Sequence, residues 1–201
     1  FNPGLSIARE LKARGGTPVL ILGGKHVEKQ AETAAKYGIE SVKIEAVPLT
    51  KNPFRLPLFF KRLFTGAVQT KAAYRSYGCQ ALLCMGSFAS FPPALCARIN
   101  HFPLFLHDGN AKIGRANRML SRWAKALALS FPVKDVSRCK CPTILTGMPL
   151  RQELVNGVLS KADAVAEINR RWNAGFSAEK PLLLVFGGSL GARTINTKVQ
   201  I

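Results

Sequence analysis

Acidic side chains are scarce in this 201-residue chain: 11 Asp and Glu stand against 29 Lys and Arg, a formal charge of +18. Such a balance points to an anionic partner, whether nucleic acid, a phosphorylated ligand or an anionic lipid surface. The shortage is most severe between Ala46 and Lys134, where 13 Lys and Arg accompany one carboxylate, Asp108. Cysteine is sparse and odd in number, with 5 residues at positions 79, 84, 96, 139 and 141. Three of them sit in apolar segments, as buried thiols of a reducing compartment do, so a disulfide framework is not expected. Cys139 and Cys141 have no further Cys or His pair nearby to complete a metal site, and none is expected. No signal peptide is visible. The uncharged stretch 76–97 covers 22 residues, enough on length to span a bilayer. Gly78, Gln80, Gly86, Ser87, Ser90, Pro92 and Pro93 interrupt it where a lipid-facing helix needs continuity, which excludes that reading in favour of strand, loop and helix start.

What is present is an alternation of short apolar runs and amphipathic stretches. The spacing predicts a helix over 4–14 stopped by Gly15-Gly16, a strand over 18–22, a helix over 27–37 and a strand over 42–47. This pattern means a parallel α/β sheet with helices on both faces. A strand should precede the first helix. The chain starts at Phe1 without methionine and ends at Ile201 within a helical pattern, and it reads as a fragment. Residues 81–118 form a strand, loop, helix, strand, loop unit whose two loops, GSFASFP and HDGN, belong on one edge of the sheet. A basic helix over 115–125 and strands over 126–131 and 142–145 complete a domain that is expected to end at residue 149. Residues 150–174 read as helices, with Leu154, Val158, Ile168 and Trp172 as packing residues. The run PLLLVF at 181–186 reads as the first parallel strand of a second domain.

Asn52 to Tyr77 differs in kind. Phe54, Leu56, Leu58, Phe59, Phe60, Leu63 and Phe64 are interleaved with Lys51, Arg55, Lys61 and Arg62. Bulky apolar groups ringed by cations suit a surface that dips into an anionic leaflet, and a core helix with solvated cations is the alternative.

Two loops are candidates for ligand chemistry. GGSLGAR at 187–193 follows an apolar run and opens a helix, so its backbone N–H groups, with Ser189, suit a diphosphate. It lacks the terminal Lys of a Walker A sequence. GSFASFP offers Ser87 and Ser90, with Phe88 able to stack on a ring. Beside it, His107-Asp108 could take a proton when a hydroxyl attacks an electrophile. The alternative for Asp108 is a cap for the following helix, or a pair with Arg115 or Arg118.

FNPGLSIARELKARGG, MGSFASFP, HDGNAKIGRANRML, TGMPLRQEL and FGGSLGARTIN, in this order and spacing, resemble the MurG family of peptidoglycan N-acetylglucosaminyltransferases, glycosyltransferase family 28. The resemblance implies a GT-B fold: a Rossmann-like N-terminal domain over 1–149 for the lipid-linked acceptor, and the start of a second Rossmann-like domain over 150–201 for UDP-GlcNAc. It implies that Asn110, Arg151 and Ser189, with Gly188 and Gly191, hold UDP-GlcNAc. Gly86, Ser87, Phe88, Ser90, His107 and Asn117 would face the acceptor diphosphate, and Asp108 would orient or deprotonate the acceptor. Phe59, Phe60, Lys61 and Arg62 would meet an anionic membrane at the cytoplasmic face. No cofactor, metal or nucleic acid is implied. The family's HEQN stands here as HDGN, its GNPVR as GMPLR, its GGSQGAR as GGSLGAR and its GGYVSGP as GSFASFP. The family's GGTGGH loop has no counterpart in the chain. Two alternatives remain: a non-catalytic lipid-phosphate or membrane-binding relative, and a lipid glycosyltransferase with another acceptor.

Overall fold

The structure, a computed structural model, describes residues 1–46, 52–185 and 193–198. It divides into two compact units, Phe1–Gln152 and Glu153–Ile201.

The first unit opens with helix α1 (Asn2–Ala13), which has Pro in its first turn, where the missing N–H costs nothing, and which buries Leu5 and Ala8. Strand β1 (Val19–Leu22), helix α2 (Val27–Ala35) and strand β2 (Glu40–Lys43) follow. β1 and β2 pair in parallel, Val19 opposite Glu40. The ladder therefore lies two residues earlier than the strand expected over 42–47. Leu5, Ala8, Ala34 and Ile39 form a small core with Leu20 against it.

The main sheet consists of β3 (Leu82–Cys84), β4 (Leu104–Asp108), β5 (Ala126–Leu129) and β6 (Thr143–Leu145), parallel and in that order. Helix α3 (Leu56–Ser76) leads from β2 into β3, α4 (Phe91–Asn100) joins β3 to β4, and α5 (Arg115–Leu120) joins β4 to β5. Leu82, Cys84, Leu104, Leu106, Leu127 and Leu129 bury one face of this sheet together with Ala94, Ala97 and Leu120. α3 approaches α4 closely because a Cβ at Gly66 would collide with the Glu45 carbonyl and Pro92. Tyr74 of α3 stacks on Phe102, ring centroids 3.7 Å apart. The opposite face departs from the expectation of helices on both sides: Leu83, Phe105 and Ile144, at alternate strand positions, stay exposed. α5 also stops earlier than expected. Ser121 is buried, donates to the Arg118 carbonyl and accepts from Lys140 N–H, so its hydroxyl competes with the helical ladder.

The second unit contains α6, which starts at the boundary (Gln152–Asn156), α7 (Lys161–Trp172) and α8 (Arg193–Lys198). Ser160 caps α7 by accepting from Asp163 N–H, and Asn173 ends it in the left-handed conformation. The packing expected here is absent. Leu154, Val158 and Trp172 are exposed, Ile168 is half-buried, and Val165 alone is buried among the described residues of the unit. Residues 181–185 form no strand, and Leu183 is 85% exposed. A parallel strand exists only within a ladder, and none of the described residues pairs with this run. Among the described residues no helix is long and apolar enough to cross a membrane.

Candidate active site

Because β3 to β6 are parallel, their carboxyl ends deliver four loops to one edge of the sheet, the edge at which open α/β folds bind ligands. β3 runs into Gly86-Ser87, β4 into Gly109-Asn110, β5 into Ser130 and β6 into Thr146 to Met148.

Asp108 organises this edge from within. It is 2% exposed, and both carboxylate oxygens are occupied. Oδ1 accepts from the Asn110 N–H at 3.1 Å and from Asn110 Nδ2 at 3.0 Å. Oδ2 accepts from the Gly114 N–H at 2.7 Å and from Asn117 Nδ2 at 3.0 Å. Gly114 is the N-cap position of α5, so the carboxylate sits where the helix presents unpaired N–H groups and its dipole favours negative charge. A carboxylate has about four acceptor sites, and all are in use. This is the capping alternative, and it leaves Asp108 no free lone pair for an incoming hydroxyl.

Asn117 ties two loops together. Its Nδ2 hydrogens go to the His107 carbonyl at 2.9 Å and to Asp108, which fixes the amide's orientation. Its Oδ1 is buried without a partner among the described residues. The amide abuts Gly86, where a Cβ would come within 3.2 Å of Nδ2. Gly86 also has φ +77°, so glycine is required there for both space and backbone conformation. Asn117 therefore does not present a donor to a diphosphate, as the resemblance implied. Ser90 does not either: it is buried and its hydroxyl donates to the Gly86 carbonyl at 2.8 Å.

His107 is also turned inward, 3% exposed, with Nε2 3.2 Å from Ser130 Oγ. Burial pushes its imidazole below the ordinary histidine range, opposed by a hydrogen bond to the Gly147 backbone and by the charge of Asp108. A buried neutral ring supplies no cation for a phosphate. The Ser130 hydroxyl lies 3.6 Å from Met148 Sδ, and Met148 in turn lies against Gly109, linking the loops after β5 and β6 to that after β4. Sequence reasoning missed Ser130 and Met148. The one available signal was their position just after apolar runs.

The groups left facing outward are fewer than expected. Ser87 is exposed with φ +76°, a conformation that glycine adopts freely and serine does not. Phe88 is 45% exposed beside Phe91, ring centroids 6.1 Å apart. Asn110 and Arg151 are exposed, the latter three positions beyond Met148 in the chain. Ser189, Gly188 and Gly191 lie outside the described residues.

On α3 the expected surface needs one correction. Phe59 is buried, packed edge-to-face on Phe60 with centroids 5.4 Å apart. Phe60, Phe64 and Val68 recur at helical spacing and are exposed, as are Phe54 and Leu58. Lys61 is exposed beside them, and Arg62 lies 3.7 Å from Glu45.

Comparison with known proteins bears on the same residues. The glycosyltransferase family 28 N-terminal domain matches residues 1–129. A UDP-N-acetylglucosamine–N-acetylmuramyl-(pentapeptide) pyrophosphoryl-undecaprenol N-acetylglucosamine transferase of Clavibacter sepedonicus is 35% identical over 204 residues, covering 100% of this chain and 53% of that protein. The protein of the same name from Thermus thermophilus is 34% identical, covering 98% of this chain and 54% of its own length. The chain thus spans about half the length of the curated relatives it matches. Among solved structures, the crystal structure of Acinetobacter baumannii MurG superimposes with a TM-score of 0.57 at 20% identity, over 76% of this chain and 42% of that one. That likeness establishes the fold.

Proposed function

Because the chain belongs to glycosyltransferase family 28, we propose that it carries the acceptor side of an inverting transferase that moves GlcNAc from UDP-GlcNAc to a lipid-linked muramoyl-pentapeptide. The observation that carries this reading is the convergence of the loops after β3, β4, β5 and β6 on one edge, braced from beneath by Asp108 and Asn117. The relatives that bear this activity in their names align with the chain from end to end.

In the proposed reaction the muramoyl hydroxyl attacks the anomeric carbon of UDP-GlcNAc from the face opposite UDP. The bond to the diphosphate breaks as the new glycosidic bond forms, UDP leaves with the bonding pair, and the hydroxyl proton passes to solvent. The developing charge on UDP is met by Arg151 and by the loop bearing Gly188, Ser189 and Gly191. Asn110 is held at the rim by Asp108 and contacts the nucleotide sugar. Asp108 acts by positioning rather than by taking the hydroxyl proton itself. Ser87, Phe88 and the Gly86 backbone face the acceptor diphosphate, while Ser90, His107 and Asn117 support them.

An acceptor anchored by an undecaprenyl chain cannot leave the bilayer cheaply, so the domain must come to the leaflet as a peripheral protein on the cytoplasmic side. The exposed side chains of Phe54, Leu58, Phe60, Phe64 and Val68, with Arg55 and Lys61 among them, suit that contact. Each cation near an anionic surface contributes about 1 kcal/mol.

The test is UDP release by the full-length protein acting on lipid acceptor in anionic vesicles, with UDP-GlcNAc affinity followed by calorimetry. Arg151→Ala should weaken UDP-GlcNAc binding by about 1.5 to 3 kcal/mol. Changing Phe60 and Phe64 to Ser with Lys61→Gln should depress vesicle-bound turnover while leaving that affinity unchanged. Unaltered affinity in the first variant removes Arg151 from the donor site. Unaltered vesicle turnover in the second removes α3 from the membrane.

A further inference from the structure

The stretch after β6 leaves the sheet at a defined point. Thr146 and Gly147 both donate their N–H to the Leu129 carbonyl, at 2.9 and 3.2 Å, and Gly147 turns the chain with φ +84°. A Cβ at Gly147 would meet nothing among the described residues within 4 Å, so the glycine serves backbone conformation rather than space. Pro149 and Leu150 follow, bordering a cavity of about 410 Å³ against α1, and lead to the exposed Arg151. Met148 turns back from this stretch into the sheet. It is half-buried, and its Sδ accepts from the Ser130 hydroxyl at 3.6 Å. Its methyl lies 3.4 Å from where a Cβ of Gly109 would stand, against the residue that precedes Asn110. Ser130 is itself held firmly. It is 7% exposed, its N–H donates to the Asp108 carbonyl at 3.0 Å, and its Oγ lies 3.2 Å from His107 Nε2.

We infer that Ser130 is a positioning residue for the donor substrate: acting through Met148, it sets the spacing between the loop that carries Asn110 and the segment that carries Arg151. Methionine is flexible and fills whatever space is offered, so packing alone leaves Met148 several rotamers; the Ser130 donor selects one. Asn110 needs no such help within its own loop, since Asp108 accepts from both its N–H and its Nδ2. Arg151 is different, because the reach of a long exposed side chain depends on where its backbone starts. A diphosphate sugar held from two loops is sensitive to their spacing, and a misplacement of about 1 Å is costly. The inference rests on the transferase reading for the roles of Asn110 and Arg151, while the contact between Ser130 and Met148 does not.

The test uses the full-length protein. Ser130→Ala should weaken UDP-GlcNAc binding in calorimetry about five- to tenfold and raise the donor KM in step, while the acceptor KM stays within about twofold. Ser130→Thr, which keeps the hydroxyl, should restore most of the loss. Because Ser130 acts through Arg151, adding Ser130→Ala to Arg151→Ala should change affinity by less than about twofold further. In NMR with isotope-labelled methionine methyl groups, the Met148 signal, assigned by its loss in Met148→Leu, should shift in Ser130→Ala and return in Ser130→Thr. Should Ser130→Ala not fold, Met148→Leu keeps the volume, removes the acceptor, and should raise the donor KM alone. Unchanged donor affinity or an unmoved methyl signal in folded Ser130→Ala overturns the proposal, as does an equal rise in both KM values or a fully additive loss in the double variant. If Arg151→Ala itself leaves affinity unchanged, the donor reading has failed and takes this inference with it.

Discussion

Two apolar runs of similar composition, Ala81 to Met85 and Pro181 to Val185, behave in opposite ways. In the first, Leu82 and Cys84 are buried at 7% and 4% exposure, paired with β4 and covered by α4. Desolvation there pushes the Cys84 thiol up to about 12. In the second, Leu183 and Leu184 are 85% and 75% exposed and pair with nothing among the described residues. An apolar run has the capacity to be a strand. A neighbouring ladder and a covering helix, both remote in sequence, decide whether it becomes one.

The largest expected effect sharpens that contrast directly. Leu106 is fully buried and stands in register between Cys84 and Leu127. Leu106→Ala should cost about 3 to 5 kcal/mol in urea denaturation, the range for a leucine removed from a packed core. Leu184→Ala should change the same measurement by no more than about 0.5 kcal/mol. A large effect at Leu184 would break the comparison and show that 181–185 is covered in solution.

A smaller effect is expected at Asp108. Asp108→Asn exchanges an acceptor-only carboxylate for an amide that cannot accept at both positions, leaving either the two Asn110 donors or the Gly114 N–H and Asn117 Nδ2 unsatisfied. The expected loss is roughly 1.5 to 3 kcal/mol, the worth of a charged hydrogen bond, read as a lower unfolding midpoint. Turnover of the full-length variant should fall together with the folded fraction. A variant as stable as the parent yet inactive would restore Asp108 as a direct participant in the chemistry.

The smallest effect concerns pH. His107 has a folded-state pKa below its ordinary value, so the unfolded chain takes up a proton at a higher pH than the native one. Its contribution to stability is complete above the ordinary histidine range and is lost as pH falls through the lower folded-state value. Thermal unfolding should therefore begin at a lower temperature at pH 5 than at pH 7.5, and His107→Gln should flatten that dependence. An equal slope in the variant would assign the pH dependence to other groups.

Much of the fold was legible in the residues because its signals are local. The order of strands and helices in the first unit follows from apolar runs separated by Gly and Pro; β3, β5 and β6 fall within the runs from which they were expected, while β4 continues two residues past the run 103–106. The strand, loop, helix, strand, loop pattern of 81–118 placed GSFASFP and HDGN at the carboxyl edge, although His107 and Asp108 prove to be the last residues of β4 rather than loop. It did not separate residues that face a ligand from those that hold them in place. Residue type marks Asp108, Asn117, Ser90 and His107 as polar groups beside a loop, and each is as well suited to a substrate as to a neighbour.

The sequence by itself determined the alternation of elements, the basic character of the surface and the family, since these rest on periodicity, composition and motif spacing. Only the tertiary structure decided which polar side chains turn inward, because that depends on donors as far apart as Asp108 and Asn117, or His107 and Ser130. It likewise decided that Phe59 is buried while Phe60 and Phe64 are exposed, and that Leu83, Phe105 and Ile144 of the main sheet stay exposed. Burial is a property of what lies opposite a residue. Its own stretch of chain does not specify that partner.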